Sequence, residues 1–72
     1  MTTTQITVSG MTCGHCVASV TEELTSLPGV TDVAVDLVAG GASPVTITSD
    51  ADLPQDKITE AVSEAGYTVS FA

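Results

Sequence analysis

Between Gln5 and Ser9 polar and apolar residues alternate with period two, the pattern of a half-buried strand, and Gly10 then lets the chain turn. Beyond Cys16 the apolar residues Val17, Val20, Leu24 and Leu27 recur at steps of three, four and three, with Ser19, Thr21, Glu22 and Glu23 on the other faces. That is the period of a helix, which Pro28-Gly29 ends. From Val30 onward Val33, Val35 and Leu37 alternate with Asp32, Ala34 and Asp36, and Val45 and Ile47 resume the alternation after a loop. A loop over residues 39–44, rich in Gly and closed by Pro44, suits two strands joined as a hairpin. Asp50 to Pro54 carries N-cap and first-turn chemistry, and Ile58, Ala61, Val62 and Ala65 form a second helical stripe that Gly66 can terminate. Tyr67, Val69 and Phe71 give a last strand.

The order strand, helix, strand, strand, helix, strand predicts an α+β, ferredoxin-like βαββαβ sandwich, in which two helices cover one face of an antiparallel four-stranded sheet. The other face would be solvated, in keeping with the Thr and Ser at alternate positions. No linker or low-complexity segment interrupts the pattern, so residues 1–72 read as a single domain. A chain this short buries only roughly 60% of the surface that its unfolded form exposes, and such domains commonly take an added stabiliser, of which a bound metal is one.

Charge narrows the partners. The formal net charge is −8 and Lys57 is the only basic side chain, so nucleic acid and anionic membrane surfaces would both repel the chain. The segment after Met1 lacks the basic start and apolar run of a signal peptide, and no stretch approaches the roughly 20 apolar residues of a membrane span. A cytoplasmic protein with no membrane insertion is expected.

The chemistry is concentrated in Met11-Thr-Cys-Gly-His-Cys16, which holds both cysteines and the single histidine. Two thiols three positions apart fall where a loop enters a helix. The first backbone N–H groups of a helix lack intrahelical partners and its dipole adds partial positive charge, so thiolates are favoured there. In a reducing compartment such a pair is metal-binding or catalytic rather than a staple.

The run Gly10-Met11-Thr12-Cys13-x-x-Cys16 after a short strand, the helix exit Leu27-Pro28-Gly29-Val30 and the turn Ala65-Gly66-Tyr67 resemble the heavy-metal-associated domains over the whole chain. Within that family the length and the Gly-His between the cysteines look most like the small bacterial copper chaperones, which carry Cu(I) to copper-transporting P-type ATPases. The resemblance implies that Cys13 and Cys16 are the copper ligands, that Met11 packs beneath the loop, and that Tyr67 lies in a neighbouring turn that shields the metal. It also implies a metal-binding domain of such an ATPase as partner, and no enzymatic activity. Family members that prefer divalent ions tend to have a carboxylate just before the first cysteine, where this chain has Thr12.

The residues themselves agree with that assignment. Two thiolates at this spacing can clasp one ion from opposite sides, and soft sulfur selects Cu(I) over hard cations. Structural zinc normally takes four protein ligands, and this loop offers two thiols. His15 could be a third ligand, a proton source for the thiolates or a solvated loop residue, the last being preferred. Met11 reads as a flexible core filler rather than a thioether ligand.

In the expected topology the metal loop, the hairpin loop near Gly40 and the turn at Gly66 share one end of the domain. None of the three contains Asp, Glu, Lys or Arg, while Asp32, Asp50, Asp52 and Asp56 gather near the opposite end, with Asp36 and Glu64 the acids nearest the metal end. The metal face is therefore expected to be a neutral, partly apolar docking patch. Transfer would pass through an intermediate in which donor and acceptor thiolates share one copper, and the same geometry could bridge two copies of this protein. Two rivals remain: a thioredoxin-like thiol-disulfide oxidoreductase, to which a Cys-x-x-Cys near a βαβ pattern also points, and an excised metal-binding domain of a copper ATPase. Against the first, the chain has no Trp before its motif. The starting methionine and full element set favour a free protein over the second.

Overall fold

The computed structural model describes residues 1–71. Six elements follow in order: β1 (Thr2–Ser9), α1 (Gly14–Thr25), β2 (Val30–Val35), β3 (Ala42–Ser49), α2 (Gln55–Glu64) and β4 (Thr68–Phe71). The strands form one antiparallel sheet in the order β2-β3-β1-β4, the ferredoxin-like arrangement. β1 pairs with β3 along its whole length, from Thr2 opposite Ser49 to Ser9 opposite Ala42, and with β4 from Ile6 to Ser9.

Period two decides which face of the sheet is covered. Ile6 and Val8 of β1 lie on the buried side with Ser43, Val45, Ile47 and Ser49 of β3, while Thr3, Gln5, Ala42 and Pro44 are exposed. Val20 and Leu24 of α1 and Ile58, Ala61 and Val62 of α2 close over that face, and Met11 completes the core. Each buried Val, Leu, Ile or Met side chain contributes on the order of 1.5–3 kcal/mol by leaving water.

Several boundaries differ from the sequence expectation. β1 begins at Thr2, three residues early, because the β-branched Thr2–Thr4 find partners in Ile47–Ser49 although no apolar alternation marks them. α1 ends at Thr25 and leaves Leu27 half-buried in the exit turn, where Leu27 N–H donates to Leu24 C=O. The hairpin loop is shorter than expected, since Ala42–Pro44 belong to β3. Pro44 is tolerated in this central strand because its backbone edge faces β2 where that strand's ladder runs out: Asp36 N–H donates to Pro44 C=O, just past Val35.

Leu37 lies outside β2 and is exposed, so it is not the core residue that its alternation suggested. The N-cap of α2 is Pro54, inside the stretch expected to hold it, but it has no side-chain cap, and the first-turn acid, Asp56, lies beyond that stretch. Pro54 C=O accepts from Lys57 and Ile58 N–H and starts the helix through the backbone alone. No helix among the described residues is long and apolar enough to cross a membrane.

Candidate metal centre

The loop between β1 and α1 is fixed at both ends. Gly10 turns the chain out of β1 with φ of +99°, a conformation that side chains other than glycine's rarely adopt. Met11 then plunges into the core and is 0% exposed, in the packing position expected for it. Its C=O accepts a 2.9 Å bond from Gly40 N–H, which ties the loop to the β2–β3 hairpin. With its backbone held there, the loop can carry Thr12 and Cys13 on the surface without fraying.

Cys13 is the N-cap of α1, extended at φ −154° and ψ 176°, and its C=O accepts from Cys16 N–H at 3.1 Å and Val17 N–H at 3.2 Å. Those bonds fold the first turn so that the two sulfurs stand 3.6 Å apart as free thiols, Cys13 exposed and Cys16 half-buried. Gly14 opens the helix with nothing within 4 Å of the Cβ it lacks. His15 is exposed beside it. Among the described residues no three His, Cys, Asp or Glu side chains gather around one point, so the structure brings the two cysteines together without His15 as a third donor.

Cys16 is the more strongly polarised thiol. The backbone N–H of Thr12, the Tyr67 hydroxyl, the backbone N–H of Cys13 and the Cys13 thiol all favour its thiolate, in that order, and lower its pKa from 9.0 to about 6 against a smaller opposing effect of burial. The Thr12 hydroxyl stands 3.8 Å from the same sulfur. Tyr67 is pushed above its ordinary pKa because its O–H is held by Cys16, with burial and the two thiolate charges adding to the effect. Sequence reasoning attributed the thiolate's stability to the helix terminus and missed the Thr12 N–H, which lies before the helix. No residue-type signal marks a main-chain donor in a loop.

The turn after α2 explains how Tyr67 arrives. Gly66, at φ +93°, donates its N–H to Ser63 C=O, and Tyr67 N–H donates to Val62 C=O, the two bonds of a Schellman cap. This reversal aims the ring across the metal loop, close enough that a Cβ on Gly10 would touch Tyr67 Cδ1 at 3.5 Å. Tyr67 thus precedes β4 rather than belonging to it.

Comparison with known proteins agrees with this picture. The model of the heavy-metal-associated domain matches residues 5–68. The copper chaperone CopZ of Staphylococcus saprophyticus is 38% identical over 74 residues, an alignment covering 96% of this chain and 98% of that protein. Copper-transporting ATPase 2 of Rhizobium meliloti is 40% identical over 65 residues, 90% of this chain but 8% of the ATPase. Mercuric reductase of Serratia marcescens is 35% identical over 96% of this chain and 14% of its own length. The chain thus spans a small part of those larger relatives and nearly all of the chaperone. Among solved structures, a CopZ metallochaperone superposes with a TM-score of 0.82 at 30% identity, covering 96% of this chain and all of that one. The Atx1–Cu(I)–Ccc2a complex supplies a match with a TM-score of 0.77 at 28% identity, covering 96% of this chain and 92% of that one. By its fold, its two-thiol loop and these matches, the chain belongs to the heavy-metal-associated domain family.

Proposed function

We propose that this chain is a cytoplasmic copper chaperone that carries one Cu(I) ion on Cys13 and Cys16 and passes it to a metal-binding domain of a copper-transporting P-type ATPase. The observation that carries the reading is the surface pair of free thiols, 3.6 Å apart at the start of α1. Two thiolates suit a soft monovalent cargo, and the two-donor site offers less than the four ligands of structural zinc. The match to CopZ supports the carrier role, and the Atx1–Cu(I)–Ccc2a structure supports an ATPase domain as acceptor.

The geometry is also suited to release. A zinc–thiolate bond is about 2.3 Å, and an ion of similar reach held in line between two thiolates would need the sulfurs farther apart than 3.6 Å. Loading would therefore open the pair, a movement that exposed Cys13 at the helix start can make while half-buried Cys16 holds its place. A third thiolate, from the acceptor, can approach the exposed side of the ion before either bond to this chain breaks. The ion is handed over by ligand exchange, with no covalent catalysis and no change in its oxidation state.

Titration with Cu(I) under a competing chelator, read by native mass spectrometry, tests the proposal beside the dithiol potential against glutathione. One tightly held ion per chain is expected. A chain that takes up no Cu(I) but exchanges disulfides rapidly with glutathione would instead be a thiol oxidoreductase. The mercuric reductase match makes Hg(II), another soft two-thiolate ion, the competitor to include in the same titration.

A further inference from the structure

Of the three large apolar side chains most exposed among the described residues, two, Leu37 at 37% and Val38 at 46%, are neighbours at the tip of the β2–β3 hairpin. The tip is not loose. The fully buried Ser43 hydroxyl accepts a 2.9 Å bond from Val38 N–H and donates to Val38 C=O at 3.4 Å, and Gly41 N–H donates to the same carbonyl at 3.0 Å. A serine in phase with Val45 and Ile47 occupies a place where an apolar residue would serve the core. What its hydroxyl does is clamp the backbone of an outward-facing apolar residue.

The clamped tip stands beside the metal loop, to which Gly40 N–H joins it through Met11 C=O, and no Asp, Glu, Lys or Arg lies in residues 1–21, 37–49 or 65–71. We infer that the Leu37–Val38 tip is a rigid apolar anchor by which the chain docks onto its metal acceptor, a second two-cysteine domain whose loop is rimmed by apolar, uncharged side chains. This rests on the transfer role proposed above, because an acceptor thiolate that shares the ion must bring its own surface onto this face. A preordered apolar tip loses little conformational freedom on binding, and the exposed Asp36 beside Leu37 can stay in water at the edge of the contact rather than be desolvated. The acids at the far end set the long-range field and not the contact.

The test is copper transfer from the loaded chain to the segment of Rhizobium meliloti copper-transporting ATPase 2 that it matches, for wild type, Leu37→Ser/Val38→Ser and Asp50→Asn/Asp52→Asn, at low and high salt. Both apolar side chains are surface groups, so the serine variant keeps its fold and its Cu(I) affinity, which the chelator competition checks. Its transfer rate is expected to fall by about tenfold or more, as for loss of an interface anchor, while the Asp variant transfers like wild type and salt alters the bound lifetime hardly at all. Equal rates for wild type and the serine variant would overturn the anchor and leave the carrier role standing. A wild-type chain that binds Cu(I) but never yields it to this acceptor would overturn the carrier role, and the anchor with it.

Discussion

Met11 is the position at which packing and ligation make opposite demands, and two substitutions separate them. Its side chain is 0% exposed, in contact with the core that Val8, Val20 and Ile58 help to form, two residues before Cys13. Truncation of a buried Met to Ala costs about 2–5 kcal/mol from lost transfer energy and the cavity left behind. A core of this size supplies only about 3–5 kcal/mol of net stability. Met11→Ala is therefore expected to lower the thermal midpoint by about 10 °C or more, at about 4–8 °C per kcal/mol, and to leave the protein partly unfolded at 37 °C. Met11→Leu conserves volume and should cost less than about 1.5 kcal/mol.

The assay pairs thermal unfolding of both apo variants, followed by circular dichroism, with the Cu(I) affinity of Met11→Leu by chelator competition. If Met11 holds the loop by packing alone, the leucine variant binds Cu(I) within a few-fold of wild type. A large loss of affinity in a folded Met11→Leu would show that the thioether sulfur binds the ion and would refute the packing argument.

Cys16 makes apo stability depend on pH with a definite sign. Its folded pKa of about 6 lies below the unperturbed 9.0, so its contribution is fully present above pH 9.0, declines as pH falls and is lost below about 6. Denaturant midpoints should fall over that window in wild type and fall less in Cys16→Ser; parallel curves would deny the shifted thiol. Tyr67→Phe removes the side-chain donor on Cys16 and should move its titration upward from about 6, read by the ultraviolet absorbance of the thiolate, while an unmoved titration would discount the bond. Cu(I) at about 100 times its dissociation constant should add roughly 2.7 kcal/mol to stability. That is about 10–20 °C in the thermal midpoint for a domain this small, and equal apo and loaded midpoints would mean no preference for the folded state.

The fold was legible because its two periods are clean where packing is one-sided: Ile6 and Val8 against Gln5 and Thr7, and Val20 and Leu24 against Glu22 and Glu23. It blurred where backbone bonds replace side-chain patterning. Thr2–Thr4 are strand because β3 pairs with them. Pro44 looked like a loop residue but sits in β3, with its missing donor where β2's ladder ends. Leu37 matched the alternation yet fell past the last β2 pair, at Val35.

At the metal loop, the meeting of Cys13 with Cys16 was readable from their spacing, whereas the aim of Tyr67 depends on a Schellman turn whose bonds join main-chain groups. Ser43 was the least visible of all. The sequence places it in the hairpin loop, and only its register in β3, opposite Val8, puts it inside.

The account's central claim is that Cys13 and Cys16 together form a surface thiolate site that the fold presents but does not need. The direct measurement is Cu(I) titration under chelator competition of wild type, Cys13→Ser, Cys16→Ser and the double variant, each with its apo thermal midpoint near neutral pH. The account predicts one tightly bound ion in wild type, a steep loss in either single variant and no tight binding in the double. It also predicts cooperative apo unfolding in all four, with midpoints moved only by the lost Cys16 thiolate. Undiminished Cu(I) binding by either single variant, or loss of the apo fold in the double, would contradict it.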